Sequence, residues 1–186
     1  DFEGRVGLRQ KGKWWKVIDD HTCFISDEQI EYAYHKVRTW SKLAGLTYFD
    51  RKAHHGFLRY AVIRTSTLSQ TMLTIVTSAP KDEEEEKLAK EAFDTLIKEV
   101  NPTTFIWSIN NTVSDVSFGD DLRVLHGSGQ IQEEINATKY LISPNAFFQT
   151  NPHGARLLQD TVREFAGDLK DKTLLDLYCG TGFFAI

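Results

Sequence analysis

The apolar residues of the chain recur at two different spacings, and the change of spacing divides the chain into strands and helices. Residues 57–65 and 70–78 alternate between apolar and polar side chains, which predicts two antiparallel strands joined by a polar turn. Residues 30–44 place their apolar side chains three and four positions apart, as one face of a helix does. Ser26 and Gln29 form a predicted capping box before this helix, and Gly45 is expected to end it.

The remaining pattern predicts two further helices and several short strands. One helix opens at Pro80, carries acidic residues in its first turns, where the helix dipole favours anions, and ends at Asn101-Pro102. The other has Asn151 as its N-cap and Pro152 as its first residue, and it runs to about Ala166. The short strands are predicted at 104–110, 122–126, 131–135, 139–143 and 173–178.

The order of these elements indicates the fold class. A helix, two strands, a helix and then more strands favour an α+β layer over a doubly wound sheet. We therefore expect an α+β central domain with an antiparallel sheet over residues 1–142. Residues 143–186 are expected to be the start of a Rossmann-like α/β domain, because a buried strand at 173–178 leads into a turn that contains glycines.

Charge is distributed unevenly along the 186 residues. The net charge of −4 argues against a nucleic-acid-binding protein if only the total is considered. Residues 1–64, however, hold 12 Lys and Arg against 8 Asp and Glu, a net charge of +4, and the rest of the chain carries −8. Phosphate contacts depend on local positive surface, so the first 64 residues are the better candidate for contacting RNA.

Basic and aromatic side chains are interleaved in the strand-like stretch 4–18. Cations of this kind meet phosphates while aromatic rings stack on bases, although the stretch could equally be a solvated hairpin whose tryptophans pack on the domain. Two arginines in the strand at 57–65 alternate with apolar residues in the same way. The predicted RNA contacts are Arg5, Arg9, Lys11, Lys13, Trp14, Trp15, Arg59 and Arg64.

Two runs near the end of the chain are more specific than any of these patterns. Residues 143–151 read Ser-Pro-Asn-Ala-Phe-Phe-Gln-Thr-Asn, and residues 174–182 read Leu-Leu-Asp-Leu-Tyr-Cys-Gly-Thr-Gly. The glycines of the second run allow backbone N–H groups to approach a ligand without a Cβ in the way. With both runs, the chain resembles the RNA (uracil-5-)-methyltransferases, which use S-adenosylmethionine to make 5-methyluridine in ribosomal and transfer RNA.

This resemblance implies a cofactor site and a substrate. The cofactor would be S-adenosylmethionine, contacted by Gln149, Tyr178, Gly180 and Gly182. A Gln149 side chain that merely caps the following helix is the alternative. Phe183 stands where relatives carry a polar Asn, which would weaken a contact to the amino-acid end of the cofactor. The expected partner is RNA, with 23S ribosomal RNA favoured over transfer RNA.

The chemistry that the resemblance implies requires residues outside this chain. A cysteine thiolate adds to carbon 6 of the uridine, carbon 5 attacks the sulfonium methyl, and a glutamate removes the carbon-5 proton. Both residues are expected well beyond the second run, so no catalytic residue is assigned here. Cys179 belongs to the cofactor loop in this family and is not expected to be the nucleophile.

The cysteines and the chain ends give further expectations. Cys23 lies where some relatives have the last ligand of an iron–sulfur cluster, but this chain cannot supply the other three thiolates. Two cysteines 156 positions apart make no disulfide framework, and a reducing, cytoplasmic compartment and a monomer are expected. No stretch has the roughly 18–20 apolar residues of a membrane span. Abrupt ends and the absence of an initiator methionine predict a fragment that is itself inactive.

Two alternatives stay open at the level of sequence. One is a non-catalytic RNA-binding module, and the other is a methyltransferase that acts on a small molecule or a protein. The paired runs favour the RNA (uracil-5-)-methyltransferase, because fold analogy alone would not specify the substrate.

Overall fold

An N-terminal β-hairpin packs against the first helix. The computed structural model describes Asp1 and residues 3–185, and at Trp14 the backbone alone. Strands β1 (Gly7–Gln10) and β2 (Lys13–Asp19) are antiparallel. Their backbones approach so closely that a Cβ on Gly7 would lie 1.9 Å from the carbonyl oxygen of Ile18. The strand-like character expected for residues 4–18 is therefore confirmed.

Helix α1 (Glu28–Leu43) begins one residue later than the predicted capping box requires. Its N-cap is Asp27, whose side chain accepts a hydrogen bond from the backbone N–H of Gln29. The prediction that Ser26 caps the helix is wrong, because its hydroxyl instead donates to Glu31 Oε1 at 2.5 Å. Gly45 follows the C-cap with a φ of +67°, a conformation that glycine adopts without a steric penalty, so the predicted helix end is confirmed.

A four-stranded sheet forms the centre of the molecule. Its strands are β3 (Leu58–Thr65), β4 (Thr71–Thr77), β5 (Thr104–Ile109) and β6 (Asp121–His126), in that spatial order. The pairs β3–β4 and β5–β6 are antiparallel, whereas β4 and β5 are parallel and joined by helix α2 (Glu83–Val100). The expected antiparallel sheet is thus wrong for one pair. A long crossover helix returns the chain to the end at which β4 began, so β5 runs in the same direction.

Both helices pack on one face of this sheet. The buried aromatic rings there are those of Trp40, Phe57, Phe93, Phe105 and Trp107. The two indole N–H groups are satisfied: Trp40 donates to the carbonyl of Ala92 and Trp107 to the hydroxyl of Thr77, each at 2.7 Å. Burial of apolar surface together with these hydrogen bonds gives the first core its specificity.

The opposite face is covered by a smaller layer. It consists of the hairpin β7 (Ile131–Ile135) and β8 (Thr138–Ile142) and of helix α3 (Pro152–Ala166), whose N-cap is Asn151 as predicted. The second hydrophobic cluster combines residues from both sides of position 142, among them Tyr140 and Phe148. The proposed domain division after residue 142 stays a prediction.

The predicted strand at 173–178 is wrong. These residues form no strand, and Leu174, Leu175 and Leu177 are 50–74% exposed. A parallel strand gains its hydrogen bonds and its burial from neighbouring strands, and none lies beside this segment in the part of the chain that the structure describes. Among the helices described, none is both long and apolar enough to span a bilayer.

Candidate cofactor site and nucleic-acid interface

The two specific runs meet in the second hydrophobic cluster. Phe148 of the first run and Phe183, directly after the second, pack edge to face with ring centroids 6.0 Å apart. Both rings also contact Tyr140. Gln159 of α3 is fully buried and donates to the carbonyl of Phe183 at 2.6 Å and to the hydroxyl of Tyr140 at 3.1 Å. The glycine-containing turn is therefore fixed beside the Ser-Pro-Asn-Ala-Phe-Phe-Gln run.

Gln149 follows Phe148 directly, and its carboxamide is accessible to a ligand. Arg64 donates to the carbonyl of Ala146 at 2.8 Å, and the Asn145 side chain donates to the carbonyl of Gly119 at 3.2 Å, so the run is tied to the central sheet. The Gln149 side chain is partly buried and forms no hydrogen bond with any described residue. It does not cap α3, because Asn151 accepts from the backbone N–H of Gly154 in that role.

Three residues of the turn around the second run have positive φ angles. Gly180 and Gly182 have φ values of +55° and +72°, which an L residue rarely adopts. Tyr178 also has a positive φ, of +62°, and its side chain is fully exposed. The thiol of Cys179 is exposed as well. Among the described residues, no group of three His, Cys, Asp or Glu side chains is placed to bind a metal ion.

The N-terminal hairpin presents the exposed cations of the candidate RNA surface. Lys11, Lys13 and Lys16 are exposed, and Trp15 is 54% exposed. Arg5 differs from these lysines because it pairs with the carboxylates of Asp1 and Glu3. The side chain of Trp14 lies outside the described residues. The lysines are thus better placed than Arg5 to neutralise phosphates.

Arg59 and Arg64 bind backbone carbonyls instead of facing solvent freely. Arg59 donates to the carbonyls of Asn110, Thr112 and Ser114 at 2.6–2.8 Å, and its guanidinium lies 4.2 Å from the ring centroid of Phe49. Both guanidinium groups are partly buried, and this loss of hydration lowers the pKa of each arginine. Both side chains fix loops, and their RNA contacts stay predictions.

Arg9 joins a cluster that the sequence did not reveal. Its guanidinium binds both oxygens of Asp115 at 2.8 Å, and Arg51 Nε lies 3.2 Å from the same carboxylate. The Tyr60 hydroxyl donates to Asp115 and accepts from Arg9. Four residues from the hairpin, a loop, β3 and the β5–β6 connection therefore meet at one point.

A cavity of about 380 Å³ lies between the hairpin, α1 and β3. Its walls are mainly apolar, and three buried polar atoms on its lining residues accept or donate no hydrogen bond within the described part of the chain: His21 Nδ1, Glu31 Oε2 and Arg59 Nε. The Ser26 hydroxyl, which donates to Glu31, holds the pKa of that carboxyl below its usual range, so Glu31 is ionised near neutral pH.

The sequence and the structure were each compared with known proteins. No protein-family model matches the sequence. An RNA methyltransferase of Caldanaerobacter subterraneus, itself uncharacterized, is 35% identical over all of this chain and 42% of its own length. The tRNA (uracil(54)-C(5))-methyltransferase of Pyrococcus horikoshii is 33% identical over 97% of this chain and 41% of its own.

A solved structure agrees with these relatives. The Pyrococcus abyssi tRNA (uracil-54, C5)-methyltransferase, determined with S-adenosyl-L-homocysteine, matches 96% of this chain with a TM-score of 0.77 and 30% identity. The chain belongs to the RNA (uracil-5-)-methyltransferase family. The resemblance seen in the two runs is thereby confirmed. The chain spans about two fifths of the length of these relatives.

The observed contacts lie beside the residues that are predicted to bind the cofactor of this family. Phe148 and Phe183, which are the chain neighbours of Gln149 and Gly182, pack against each other, but no observation tests the predicted cofactor role of Gln149, Tyr178, Gly180 or Gly182. Gln159, which joins the two runs, was missed. A signal for it exists, since it follows the buried Ala155 by four positions and so places a polar group on the core face of α3.

Proposed function

We propose that these residues serve an RNA uridine carbon-5 methyltransferase that takes its methyl group from S-adenosylmethionine. In this proposal they provide an RNA-contacting surface and part of the cofactor site. The observation that carries it is the packing of Phe148 against Phe183, which sets the two family runs side by side while the Gln149 carboxamide makes no hydrogen bond within the described chain. Because the Gln149 side chain is only partly buried, its carboxamide stays accessible to a ligand.

The residues present fit the proposed cofactor. The P. abyssi relative was solved with S-adenosyl-L-homocysteine, which is what remains of S-adenosylmethionine after the methyl group has left. Gln149 supplies a donor and an acceptor for the methionine part, and the positive φ of Gly180 and Gly182 lets backbone groups approach it. The bound cofactor would supply the sulfonium methyl. The Phe183 side chain has no polar atom and is only 5% exposed, so it offers the cofactor no hydrogen bond.

Transfer RNA is the better-supported substrate class. The resemblance of the two runs favoured 23S ribosomal RNA, and no observation supports that preference. The Pyrococcus horikoshii and Pyrococcus abyssi relatives carry names that specify uracil 54 of transfer RNA. We therefore propose a transfer RNA uridine as the target and treat ribosomal RNA as the competing outcome.

The test is methyl transfer by a protein that contains these residues together with the rest of the catalytic domain. Labelled S-adenosylmethionine is incubated with unmodified transfer RNA and, separately, with 23S ribosomal RNA fragments. Label recovered in 5-methyluridine of transfer RNA supports the proposal, and label in ribosomal RNA alone changes the substrate. Label in neither RNA, with the cofactor bound, would contradict it.

The 186-residue chain by itself is expected to transfer no methyl group. The cysteine and glutamate that the family chemistry requires are expected beyond the second run, and each contributes orders of magnitude to the rate. The same labelled assay on the purified chain checks this expectation. Transfer to uridine above background would mean that residues within this chain perform the chemistry.

A further inference from the structure

The carboxylate of Asp115 is contacted by three side chains that are far from it in sequence, Arg9, Arg51 and Tyr60. Arg9 contributes two nitrogens, one to each carboxylate oxygen, both at 2.8 Å. Arg51 Nε lies 3.2 Å from Oδ1, and the Tyr60 hydroxyl donates to the same oxygen. This is the fork-like, bidentate geometry with which arginine binds carboxylates and phosphates alike.

The four side chains of this cluster comprise two cations, one anion and one hydroxyl group. Two guanidinium cations, Arg9 and Arg51, share one carboxylate. Burial, and to a lesser extent the neighbouring Arg9, lowers the pKa of Arg51, while Asp115 opposes that effect. The side chains of Arg9, Arg51 and Asp115 remain 35%, 26% and 40% exposed, so an anion from solution can reach the two guanidinium groups.

The loop that carries Asp115 is fixed independently of its carboxylate. Residues 110–120 connect β5 to β6, and Arg59 binds the carbonyls of Asn110, Thr112 and Ser114 in this connection. The Asn110 side chain donates to the carbonyl of Phe118 at 2.9 Å. The backbone therefore keeps its place when the Asp115 side chain leaves the arginines, and the carboxylate can exchange with another anion without refolding of the loop.

We propose that Arg9, Arg51 and Tyr60 form a binding site for an RNA phosphodiester, and that Asp115 occupies this site until the phosphate displaces it. The inference rests on the proposed function for its RNA. A phosphodiester carries one negative charge on two equivalent oxygens, so it can accept the same donors as the carboxylate. Because every anion must displace Asp115, only a ligand with additional contacts, such as those to Lys11 and Lys13 on the same hairpin, binds well.

Removal of the Asp115 charge tests this exchange directly. Asp115→Asn keeps the shape of the side chain and an acceptor for Tyr60, but it releases the two arginines. We expect this variant to bind a fluorescently labelled RNA stem-loop about two- to fivefold more tightly, the size of effect typical of a partly exposed ion pair. Asp120→Asn is the matched control, because it makes the same charge change five residues away at an exposed side chain. Its affinity is expected to stay close to that of the unmodified chain.

A double-variant cycle with Arg9→Gln distinguishes displacement from a positioning role. If Asp115 occupies the phosphate site, loss of Arg9 reduces RNA affinity more in the Asp115→Asn background, where Arg9 is fully available to RNA. If Asp115 instead orients Arg9 toward RNA, Asp115→Asn weakens binding and the loss of Arg9 then matters less. Thermal unfolding of every variant confirms that the comparison is between folded chains.

Three outcomes decide the matter. Tighter binding by Asp115→Asn, with Asp120→Asn unchanged, supports the inference. RNA binding by the unmodified chain that Asp115→Asn does not improve beyond the control overturns the inference and leaves the proposed function intact. Failure of the unmodified chain and of all variants to bind RNA contradicts the RNA-contacting role itself, and the inference with it.

Discussion

At the scale of single residues, the chain separates polar side chains that build the structure from those left for a ligand. Gln159 and Gln149 are ten positions apart and chemically identical. Gln159 is fully buried and also accepts from Asn136 at 2.9 Å, whereas the partly buried Gln149 makes no hydrogen bond within the described residues. A buried carboxamide needs partners, and only an accessible one can give its hydrogen bonds to a cofactor.

Gln149→Ala should therefore weaken cofactor binding. Loss of a polar contact in a buried complex typically costs about 1–3 kcal/mol, so we expect the dissociation constant for S-adenosylmethionine to rise roughly tenfold or more. The measurement is isothermal titration calorimetry on a protein that also contains the rest of the catalytic domain. Gln132→Ala, at an exposed position of β7, is the control. An unchanged constant would show that Gln149 does not contact the cofactor.

Gln159→Leu should instead destabilise the fold. The substitution leaves the Phe183 carbonyl and the Tyr140 hydroxyl without their donor inside the second cluster. We expect the free energy of unfolding to fall by about 1–3 kcal/mol. Urea denaturation of the 186-residue chain measures it, with Gln132→Leu as the exposed comparison. A loss no greater than that of the comparison would mean that the two runs are held together by the aromatic rings alone.

At the scale of elements, ion pairs hold the N-terminal hairpin against α1. Asp19 at the end of β2 accepts from Arg38 at 2.8 and 3.0 Å and from Lys42 at 3.3 Å. It also accepts from the backbone N–H of Val6 at 3.2 Å. One carboxylate thus joins both ends of the hairpin to the helix, and Tyr34 adds a hydrogen bond to the carbonyl of Val6.

This junction predicts sensitivity to acid. The hydrogen bonds from Arg38 hold the pKa of Asp19 well below its ordinary value. A carboxyl whose pKa is lowered on folding stabilises the protein fully above its unfolded pKa of about 3.9, and the stabilisation declines as the pH falls toward the folded pKa. Urea midpoints measured from pH 7 to pH 2.5 should therefore show that Asp19→Asn loses less stability on acidification than the unmodified chain. Asp94→Asn, exposed on α2, should behave as the unmodified chain does.

At the scale of the whole molecule, ion pairs neutralise part of the positive charge in the first 64 residues. Arg5, Arg9 and Arg38 of the basic first third all pair with Asp or Glu. Lys11 and Lys13 remain exposed at the turn of the hairpin. Local exposure, and not the sum over 64 residues, thus determines which cations can release counterions from RNA.

Removal of Lys11 and Lys13 should flatten the salt dependence of RNA binding. Each phosphate contact adds about 0.7–0.9 to the magnitude of the log–log slope, so Lys11→Gln with Lys13→Gln should reduce it by about one to two units. Trp15→Ala should weaken binding without altering the slope, because stacking releases no counterions. Fluorescence anisotropy with a labelled stem-loop across a salt series checks both, with the exposed pair Lys87→Gln and Lys98→Gln as the control. An unchanged slope in the Lys11 and Lys13 variant would make the hairpin a solvated element without RNA contacts.

Much of this organisation is local and could be predicted from sequence. The end of α2 at Asn101 and the start of α3 at Asn151 and Pro152 were predicted, since caps and fixed φ angles act within a few residues. The start of α2 was predicted at Pro80 and is wrong, because Asp82 is the N-cap and the helix begins at Glu83. The alternation of apolar and polar residues predicted β3 and β4 as strands, although β4 is buried on both faces of the sheet. The two family runs are likewise contiguous, so the family and the candidate cofactor residues were accessible without a structure.

What depends on distant partners was decided only by the tertiary structure. The parallel pairing of β4 with β5 requires the path of α2, and the strand expected at 173–178 needs neighbours that its own residues cannot supply. The same holds for charge. No pattern in the sequence joins Arg9 to Asp115 across 106 positions, and their contact turns a predicted RNA-binding arginine into one whose partner must first be displaced. Side chains far apart in the chain interact only after the backbone has placed them together, so the fold decides which charges remain available.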